Sequence, residues 1–406
     1  MRYVGMDVHR DFCEVAVAQD GHVRSGPRIP TTPEALDLFG QSLDPEDVVA
    51  MENTGVAAAI TDILRRHVDR VAVANPQAVL AIAGAKAKTD SIDARTLAKL
   101  AASGFLPEVW VADDHTRALR RQISRRSQLV RARTRAKNEV HAVLHRNLAG
   151  RPPVSDLFGT SGRSWLAGQD LPADERRAAQ ACLRQVDFLA QELGAIDAEI
   201  AGAALRSESI RRLMTIPGVD SITAATLVAA IGDITRFPSP RHLVGYLGLD
   251  PRVRQSGTSP ARHGSISKQG SSAARHVLVE AAWTATRTPG PLRAFGERIR
   301  GRRGPNVATV AVARKLVVLC WHLLRRGEDY AYARPSLTAQ KLRRLELRAG
   351  AEPRQGRRNG VHRYSSAEQR RLETRVALQA EAAYRRLVKD RGAGRGTEAA
   401  PVIART

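Results

Sequence analysis

Cysteines are few in this sequence, and they are widely separated. Only Cys13, Cys182 and Cys320 occur among 406 residues, and no two of them have CxxC spacing. An odd number of scattered thiols argues against a disulfide framework and against a thiolate zinc site. We therefore predict a protein of a reducing cytosol.

Long uninterrupted apolar runs are also absent from the sequence. The segment MRYVGMDVHRD at the start has no basic stretch followed by an apolar one. The longest apolar stretch, from Val307 to Leu324, is interrupted by Arg314 and Lys315. Because a membrane span needs about 20 predominantly apolar residues, we expect a soluble, cytoplasmic protein with no membrane partner.

Acidic residues are outnumbered by basic ones. Lys and Arg total 64 against 41 Asp and Glu, which gives a formal net charge of +23. Most of these cations are Arg, which forms bidentate contacts with phosphate and stacks on bases, so the composition favours a nucleic-acid partner. The length, with 43% hydrophobic residues, predicts two domains and a tail.

Four acidic residues nevertheless stand in apolar or small-residue surroundings. They are Asp7 in GMDVH, Glu52 in AMENTG, and Asp90 and Asp93 in KTDSIDA. Any one of them could be an ordinary cap at the end of a strand or helix. Burying all four carboxylates without partners would cost free energy, and a cation bound between them would offset that cost. Two Mg²⁺ ions about 4 Å apart on such carboxylates would support phosphoryl transfer, so we predict Mg²⁺ as cofactor.

The segments around these acids predict an α/β domain. Runs rich in Val and aromatics at Tyr3–Val8 and Phe12–Ala18 are typical of a β-hairpin that begins a sheet. Further strands are predicted at Val48–Met51 and Arg70–Ala74, each after a helical segment.

The four acids fall at the ends of these predicted elements. Asp7 and Glu52 lie on or at the ends of strands. Asp90 and Asp93 are three residues apart at the start of the next helix, which places both carboxylates on one helical face.

A strongly basic helical segment follows. Between Arg117 and Arg151 apolar residues recur at roughly helical spacing among many arginines and the single acid Glu139. A second helical pattern runs from Asp174 to Leu205, so the pair predicts a helical hairpin or coiled-coil arm. The arginines that we assign to nucleic-acid binding are Arg121, Arg125, Arg131 and Arg135.

A second compact domain is predicted from about residue 210 to 326. Its first part, IPGVDSITAATL, has the pattern of a helix-hairpin-helix element, whose backbone N–H groups can bind a phosphate. Beyond Arg334 the apolar density falls, and Arg- and Gly-rich segments predict a basic, partly disordered tail that includes one charged helix near residues 365–388.

A loop rich in Gly, Ser and Arg within this second domain is a candidate for a second part of the site. A serine hydroxyl there could act as a nucleophile beside cations that stabilise phosphate charge, although such loops are more often only phosphate-binding or flexible. The spacing does not choose among Ser256, Ser259, Ser265 and Ser267. The cations beside them are Arg254, Arg262 and Lys268.

These motifs, taken together, resemble the DEDD-type insertion-sequence transposases of the IS110 group. The resemblance rests on GMDVHRDFCEVAVAQDG, AMENTG, KAKTDSIDARTLA and the long segment from IPGVDSITAATLVAAIGD to LVEAAW, and it covers roughly residues 1–325. It implies an α/β ribonuclease-H-like (RuvC-type) N-terminal domain, a helical coiled-coil arm, and a mainly α C-terminal transposase domain with the helix-hairpin-helix-like element.

The resemblance also implies a mechanism. The family's DEDD carboxylates bind Mg²⁺ and correspond here to Asp7, Glu52, Asp90 and Asp93. The family's covalent nucleophile is a serine before a glycine, which best matches Ser256, although this chain has Gln255 where the common form has a second serine. Members use a noncoding bridge RNA that pairs with donor and target DNA, and they assemble as tetramers or dimers of dimers.

The boundaries that we predict are residues 1–112 for the RuvC-like domain, 113–208 for the basic arm with its linker, 209–330 for the transposase domain and 331–406 for the tail.

The expected function is excision and insertion of a mobile element in the bacterial cytoplasm, at the nucleoid, with DNA element ends and target DNA as substrates. One alternative is a metal-only nuclease such as a junction resolvase, with water as nucleophile. The other is an Arg-rich nucleic-acid-binding scaffold without catalytic activity.

Overall fold

The chain divides into two compact units, Met1–Asp113 and Asp114–Thr406. The structure is a computed structural model that describes residues 1–83, 89–353 and 367–394. Two segments of the predicted tail, 354–366 and 395–406, lie outside the described residues.

The first unit is a mixed sheet with helices. Its elements are β1 (Tyr3–Val8), β2 (Phe12–Gln19), β3 (His22–Pro30), α1 (Pro33–Gln41), β4 (Val48–Glu52), α2 (Ala57–Leu64), β5 (Arg70–Ala74), α3 (Pro76–Ala83) and α4 (Asp90–Ala102). The strand order is β3-β2-β1-β4-β5. The β1–β2 and β2–β3 pairs are antiparallel, while β1–β4 and β4–β5 are parallel.

The predicted hairpin and the predicted strands at β4 and β5 are confirmed, but β3 is not expected from the sequence pattern. In the structure Asp20 and Gly21 form a turn with positive φ, and the chain then continues as an edge strand. The strand HVRSGPRIP contains two prolines and a glycine, which an edge strand tolerates and which conceal it from pattern reading.

The two faces of the sheet differ in side-chain size. On one face Val4, Met6, Val49 and Met51 are fully buried in an apolar core. The other face presents small residues toward α4, because strand side chains alternate between the two faces. Those small residues are Gly5, Ala16, Ala18 and Ala50, and the residues of α4 that meet the sheet include Ala94, Leu97 and Ala98.

Gly5 sets how closely α4 approaches β1. A Cβ placed on Gly5 would lie 2.1 Å from the Ala94 carbonyl oxygen and 2.5 Å from the Ala98 nitrogen, both of them backbone atoms that have little freedom to move. Only glycine therefore allows the helix to lie directly on the strand. This contact brings the first turn of α4, with its two aspartates, to the end of β1.

We expect Gly5→Ala to push α4 away from the sheet and to destabilise the first unit by about 3 kcal/mol, because overpacking of a tight contact costs roughly this much. Hydrogen exchange of the α4 amides in the full chain should become faster. Gly55→Ala is the matched control, since a Cβ on Gly55 meets nothing within 4 Å. Equal exchange in both variants would contradict this account of the contact.

The second unit is mainly helical. Its elements are α5 (Asp114–Arg146), α6 (Thr160–Ala167), α7 (Ala173–Arg206), α8 (Glu208–Leu213), α9 (Ser221–Ile231), α10 (Pro240–Tyr246), β6 (Pro251–Arg254), β7 (Arg262–Ile266), α11 (Ser272–Arg287), α12 (Pro291–Arg303), α13 (Pro305–Arg326), α14 (Pro335–Arg348) and α15 (Ala367–Gly394).

The long helices α5 and α7 pack against each other as an antiparallel pair. Ion pairs join them at two separate points: Arg126 to Asp197, and Arg146 to Glu175, each at 2.5 Å. The two helices are those predicted from the basic and the second helical segments. The short helix α6, which the sequence pattern does not predict, contributes Leu166 to a small core with Val140 and Leu144 of α5.

Helix α13 is long and apolar enough to cross a membrane by length and composition alone. In the structure its inner face is part of the second unit's core, where Val312, Ala313 and Leu316 are completely buried. Helices α10, α11 and α12 pack against it. The apolar composition of α13 is therefore accounted for by this core.

The tail beyond residue 334 includes two helices that pack on the second unit. Helix α14 lies against α7, and α15 lies against α12. Glu381 of α15 is buried, where it accepts from the Gly290 backbone N–H at 3.0 Å and pairs with Arg293 at 2.8 Å. This buried carboxylate holds α15 at the start of α12.

Candidate active site

Four carboxylates and one imidazole line a single cavity of about 340 Å³ in the first unit. Asp7 lies one residue before the end of β1, and Glu52 is the last residue of β4. The parallel pairing aligns Met6 with Met51, so Asp7 and Glu52 follow at adjacent positions. The acidic cavity is lined by Asp7, His9, Glu52, Asp90 and Asp93, among other residues.

The first turn of α4 supplies Asp90 and Asp93. The helix begins after Thr89, whose side chain accepts from the Ile92 N–H at 3.3 Å. Carboxylates in the first turn of a helix are favoured by the positive end of its dipole. This turn can therefore present two negative charges to the cavity.

His9 is part of this cluster, although it lies between the first two predicted strands and the sequence does not single it out. Its Nε2 lies 3.0 Å from Asp7 Oδ2 and 3.3 Å from Asp90 Oδ1. The potential ligand atoms of Asp7, His9 and Asp90 all lie within 4.8 Å of one another. The signal that could have found it is the spacing of two between Asp7 and His9, which on an extended chain places two side chains on one face.

The electrostatics of the cavity favour a bound cation. Burial raises the pKa of the Asp7 carboxyl, the nearby His9 opposes that rise, and the charges of Asp93 and Asp90 add to it. An acidic group whose charge is disfavoured by burial and by like charges gains most from a positive ligand. The carboxylate oxygens are the donors that a hard divalent ion prefers, whereas the imidazole of His9 suits transition metals better.

Glu14 shows that not every carboxylate on this face belongs to the cluster. It is the cross-strand partner of Asp7, so both side chains lie on the same face of the sheet. Glu14 accepts from Arg28 Nε at 2.9 Å, and the Arg28 guanidinium lies over the Phe12 ring. Its charge is therefore already balanced by an arginine.

The candidate nucleophile lies in the second unit, at the tip of the hairpin formed by β6 and β7. Residues 255–261 connect the two strands and are all exposed. The Ser259 N–H donates to the Ser256 carbonyl at 3.2 Å, which closes a turn in which Gly257 has φ of +56°. Ser256 is therefore the first residue of an exposed turn.

Two arginines stand on either side of this tip. Arg254 and Arg262 are cross-strand partners, and both are exposed. Like charges directly opposite each other destabilise a strand pair, so an anion between them would relieve their repulsion. The third predicted cation, Lys268, is exposed and has φ of +57° just beyond β7.

The four candidate serines have different environments. Ser267 is buried, its Oγ donates to Asp250 Oδ1 at 2.6 Å, and its N–H donates to the Asp250 carbonyl at 2.8 Å. These bonds close the base of the hairpin. Ser256, Ser259 and Ser265 are exposed, and only Ser256 combines exposure with a following glycine.

The arginines predicted to bind nucleic acid are exposed along α5. The neighbouring Arg120 donates to the carbonyls of Ala229 and Ala230, and Arg126 is paired with Asp197. Within the exposed set, Arg125 lies 3.9 Å from Glu192. Arg131 also borders a cavity of about 510 Å³ lined by residues of α9 and the start of α11. The exposed set is Arg121, Arg125, Arg131 and Arg135.

Helices α8 and α9 flank the turn for which a helix-hairpin-helix element is predicted, but the N-terminus of α9 is already capped. The Asp220 side chain accepts from the Thr223 N–H at 2.8 Å. A carboxylate at this position repels a phosphate, so the free N–H groups expected from the sequence are not all available here.

Two family models match the chain. One, described as a transposase of the DEDD IS110 type, matches residues 4–147, and the other, described as the transposase IS116/IS110/IS902 family, matches residues 210–297. The two matched segments together include the acidic cavity and the β6–β7 hairpin.

Curated relatives are similar to this chain over different lengths. "Putative transposase y4qE" of Sinorhizobium fredii is 33% identical over 50% of this chain, and the match spans 49% of that relative. "Probable family 20 transposase" of Pseudomonas aeruginosa is 28% identical over 80% of this chain and 98% of the relative. "Transposase for insertion sequence element IS1111A" of Coxiella burnetii is 27% identical over 60% of this chain and 68% of the relative.

The mixed sheet that carries the carboxylates, the helical second unit and these matches define the class of the protein, which is a DEDD-type DNA transposase with a ribonuclease-H-like first domain. The chain belongs to the IS110 family of insertion-sequence transposases.

Proposed function

We propose that this transposase cleaves and rejoins DNA strands at the ends of its own mobile element, with Mg²⁺ held by the DEDD carboxylates and with Ser256 as the covalent nucleophile. The observation that carries the proposal is that Asp7, Glu52, Asp90 and Asp93 line one cavity, in which potential ligand atoms of Asp7, His9 and Asp90 lie within 4.8 Å of one another. Ser256 is exposed in the turn that connects the cross-strand partners Arg254 and Arg262, which supports its role as nucleophile.

The carboxylates and the serine have separate roles in this proposal. Asp7, Glu52, Asp90 and Asp93 hold the metal, and Arg254, Arg262 and Lys268 bind the scissile phosphate. When bound, Mg²⁺ supplies Lewis-acid stabilisation of the charge on the phosphate. The Ser256 oxygen forms a bond to phosphorus as the bond to the leaving sugar oxygen breaks, and the sugar oxygen is released as a hydroxyl.

Rejoining is the reverse of this step. A sugar hydroxyl attacks the phosphoserine, and the serine oxygen leaves. Because one phosphoester replaces another in each direction, no ATP is required.

The partners that we propose are donor element ends and target DNA, together with a noncoding bridge RNA that pairs with both. A positively charged protein can hold such nucleic acids through their backbones while base pairing provides the sequence specificity. The net charge of +23 and the exposed arginines of α5 are compatible with this role. We propose a tetramer, or dimer of dimers, located at the bacterial nucleoid, and the four-part division at residues 112, 208 and 330 as its domain plan.

The proposal is tested by incubating the purified full chain with RNA that copurifies with it, DNA of its element ends and Mg²⁺. We expect an SDS-resistant protein–DNA adduct together with strand-exchange products, and sequencing should yield an RNA complementary to both element ends and target. Cleavage without any adduct would favour the metal-only nuclease with water as nucleophile. Binding without cleavage would favour the non-catalytic scaffold.

The arm arginines give a separate prediction for nucleic-acid affinity. Replacing both Arg131 and Arg135 by Gln should weaken binding across sequences and reduce the slope of log K against log salt by about 2, since each phosphate contact contributes roughly 1. The measurement is a salt titration of DNA binding by fluorescence anisotropy. Arg126→Gln is the internal control, because Arg126 is paired with Asp197, and its salt slope should match that of the unmodified chain.

A further inference from the structure

The turn between α8 and α9 receives a positive charge from a helix far away in sequence. Lys341 of α14 donates from Nζ to three backbone carbonyls, those of Met214 at 2.6 Å, Ile216 at 3.0 Å and Val219 at 2.8 Å. An ammonium group has three donors, so every one of them is used.

The three carbonyls belong to a rigid segment, which we call the 214–219 turn. Met214, Ile216 and Val219 are fully buried. Gly218 has φ of +87°, and a Cβ on it would lie 2.5 Å from the Ala281 carbonyl oxygen of α11. The turn is therefore pressed against α11, and its carbonyls cannot easily turn toward other donors.

The Lys341 amine lies where the three carbonyls converge, and it is charged there. Burial lowers the pKa of its amine to about 8, and the Asp220 carboxylate opposes that shift. At neutral pH most of these side chains still hold their proton, and three carbonyl acceptors stabilise the ammonium form. Removing the lysine would take one hydrogen bond from each of the three buried carbonyls, of which that of Ile216 also accepts from the Val219 N–H, at 3.2 Å. Loss of hydrogen bonds at buried carbonyls is costly.

We propose that the 214–219 turn is a cage for a monovalent cation, and that Lys341 occupies it as a cation built into the chain. Neutral carbonyl oxygens that converge on one point replace the hydration shell of K⁺, whose size is close to that of an ammonium group. A divalent ion would instead require carboxylate ligands, and the three ligand oxygens here are all backbone carbonyls. Lys341 lies outside both segments matched by the family models, so the first helix of the tail supplies the cation for a turn of the matched region.

The test is chemical rescue of Lys341→Ala in the full chain. With LiCl as the only salt, we expect the Tm of the variant to fall by about 5 °C. Replacing LiCl by KCl, RbCl or NH₄Cl at constant ionic strength should restore at least half of that loss, with a dependence on concentration that saturates as for a bound ligand. The unmodified chain should have the same Tm in all four salts.

Two further variants keep the test decisive. Lys341→Met has an apolar chain that fills the space of the cation, so KCl should not rescue it. Arg344→Ala removes an exposed cation of the same helix and should change neither Tm nor salt response. If Lys341→Ala is insoluble, its refolding yield in KCl against LiCl replaces Tm as the readout. Equal behaviour of Lys341→Ala in KCl and LiCl, by either readout, would overturn the proposal.

Discussion

Asp7→Asn is expected to reduce strand cleavage by on the order of 10³-fold while DNA binding stays nearly unchanged, because loss of metal-based charge stabilisation costs several kcal/mol in the transition state. Asp7 is central to the acidic cavity, since its carboxylate contacts His9 and interacts electrostatically with Asp90 and Asp93. An amide keeps the shape of the side chain but removes the negative charge. Cleavage of labelled element-end DNA and anisotropy binding curves measure the two effects.

The same substitution should not destabilise the metal-free protein. Burial and neighbouring acids raise the pKa of Asp7, so the folded state holds this proton more tightly than the unfolded state does. The ionised carboxylate therefore opposes folding at pH values above its folded-state pKa, and Asn removes that cost. We expect the Tm of Asp7→Asn without metal at pH 7 to equal or exceed that of the unmodified chain, and the rise in Tm on adding Mg²⁺ to be lost.

Glu14→Gln is the matched control for this result. Glu14 lies on the same face as Asp7, but it is paired with Arg28 and is not a lining residue of the acidic cavity. Cleavage by Glu14→Gln should remain near that of the unmodified chain. Loss of cleavage in both variants would show that negative charge on this face matters generally, rather than the DEDD set in particular.

The first unit could be predicted largely because its pattern is local. Runs rich in Val and other apolar residues identify β1 and β4 as strands. The edge strand β3 could not be predicted, because its stability comes from pairing with β2 and not from its own composition. Local sequence carries no record of such pairing.

The sequence predicts which carboxylates line the acidic cavity, but it does not predict that they lie close together. Each of the four carboxylates is identified by its own sequence surroundings, whereas their approach depends on α4 lying against Gly5. His9 and Lys341 escape sequence-based prediction for the same reason. Each is a common polar residue whose contacts are formed by elements that only the fold brings together.

The fold adds to the choice among serines. Spacing alone does not distinguish Ser256, Ser259, Ser265 and Ser267, and the family resemblance favours Ser256 because a glycine follows it. The structure separates Ser267, which is buried and bonded to Asp250, from the exposed residues of the hairpin tip. A buried hydroxyl that already donates to a carboxylate in the hairpin base is poorly placed to receive a DNA phosphate.

Ser256→Ala is therefore expected to abolish the covalent protein–DNA adduct and to reduce strand exchange by on the order of 10⁴-fold, since no other group replaces a covalent nucleophile. Its Tm should not change, because the side chain is exposed at the tip of a turn. Ser259→Ala, in the same turn, is the matched control and should form the adduct normally. Denaturing gels of reactions with labelled DNA measure all of these variants side by side.

Ser267→Ala separates a structural serine from a catalytic one. Loss of its 2.6 Å bond leaves Asp250 without this donor and should destabilise the hairpin base by about 1–3 kcal/mol. The adduct should still form, at a lower rate that follows the fraction of intact hairpin and recovers at lower temperature. An adduct that persists in Ser256→Ala but disappears in Ser267→Ala at every temperature would transfer the nucleophile's role to Ser267, and the two arginines at the tip would then bind DNA without taking part in its cleavage.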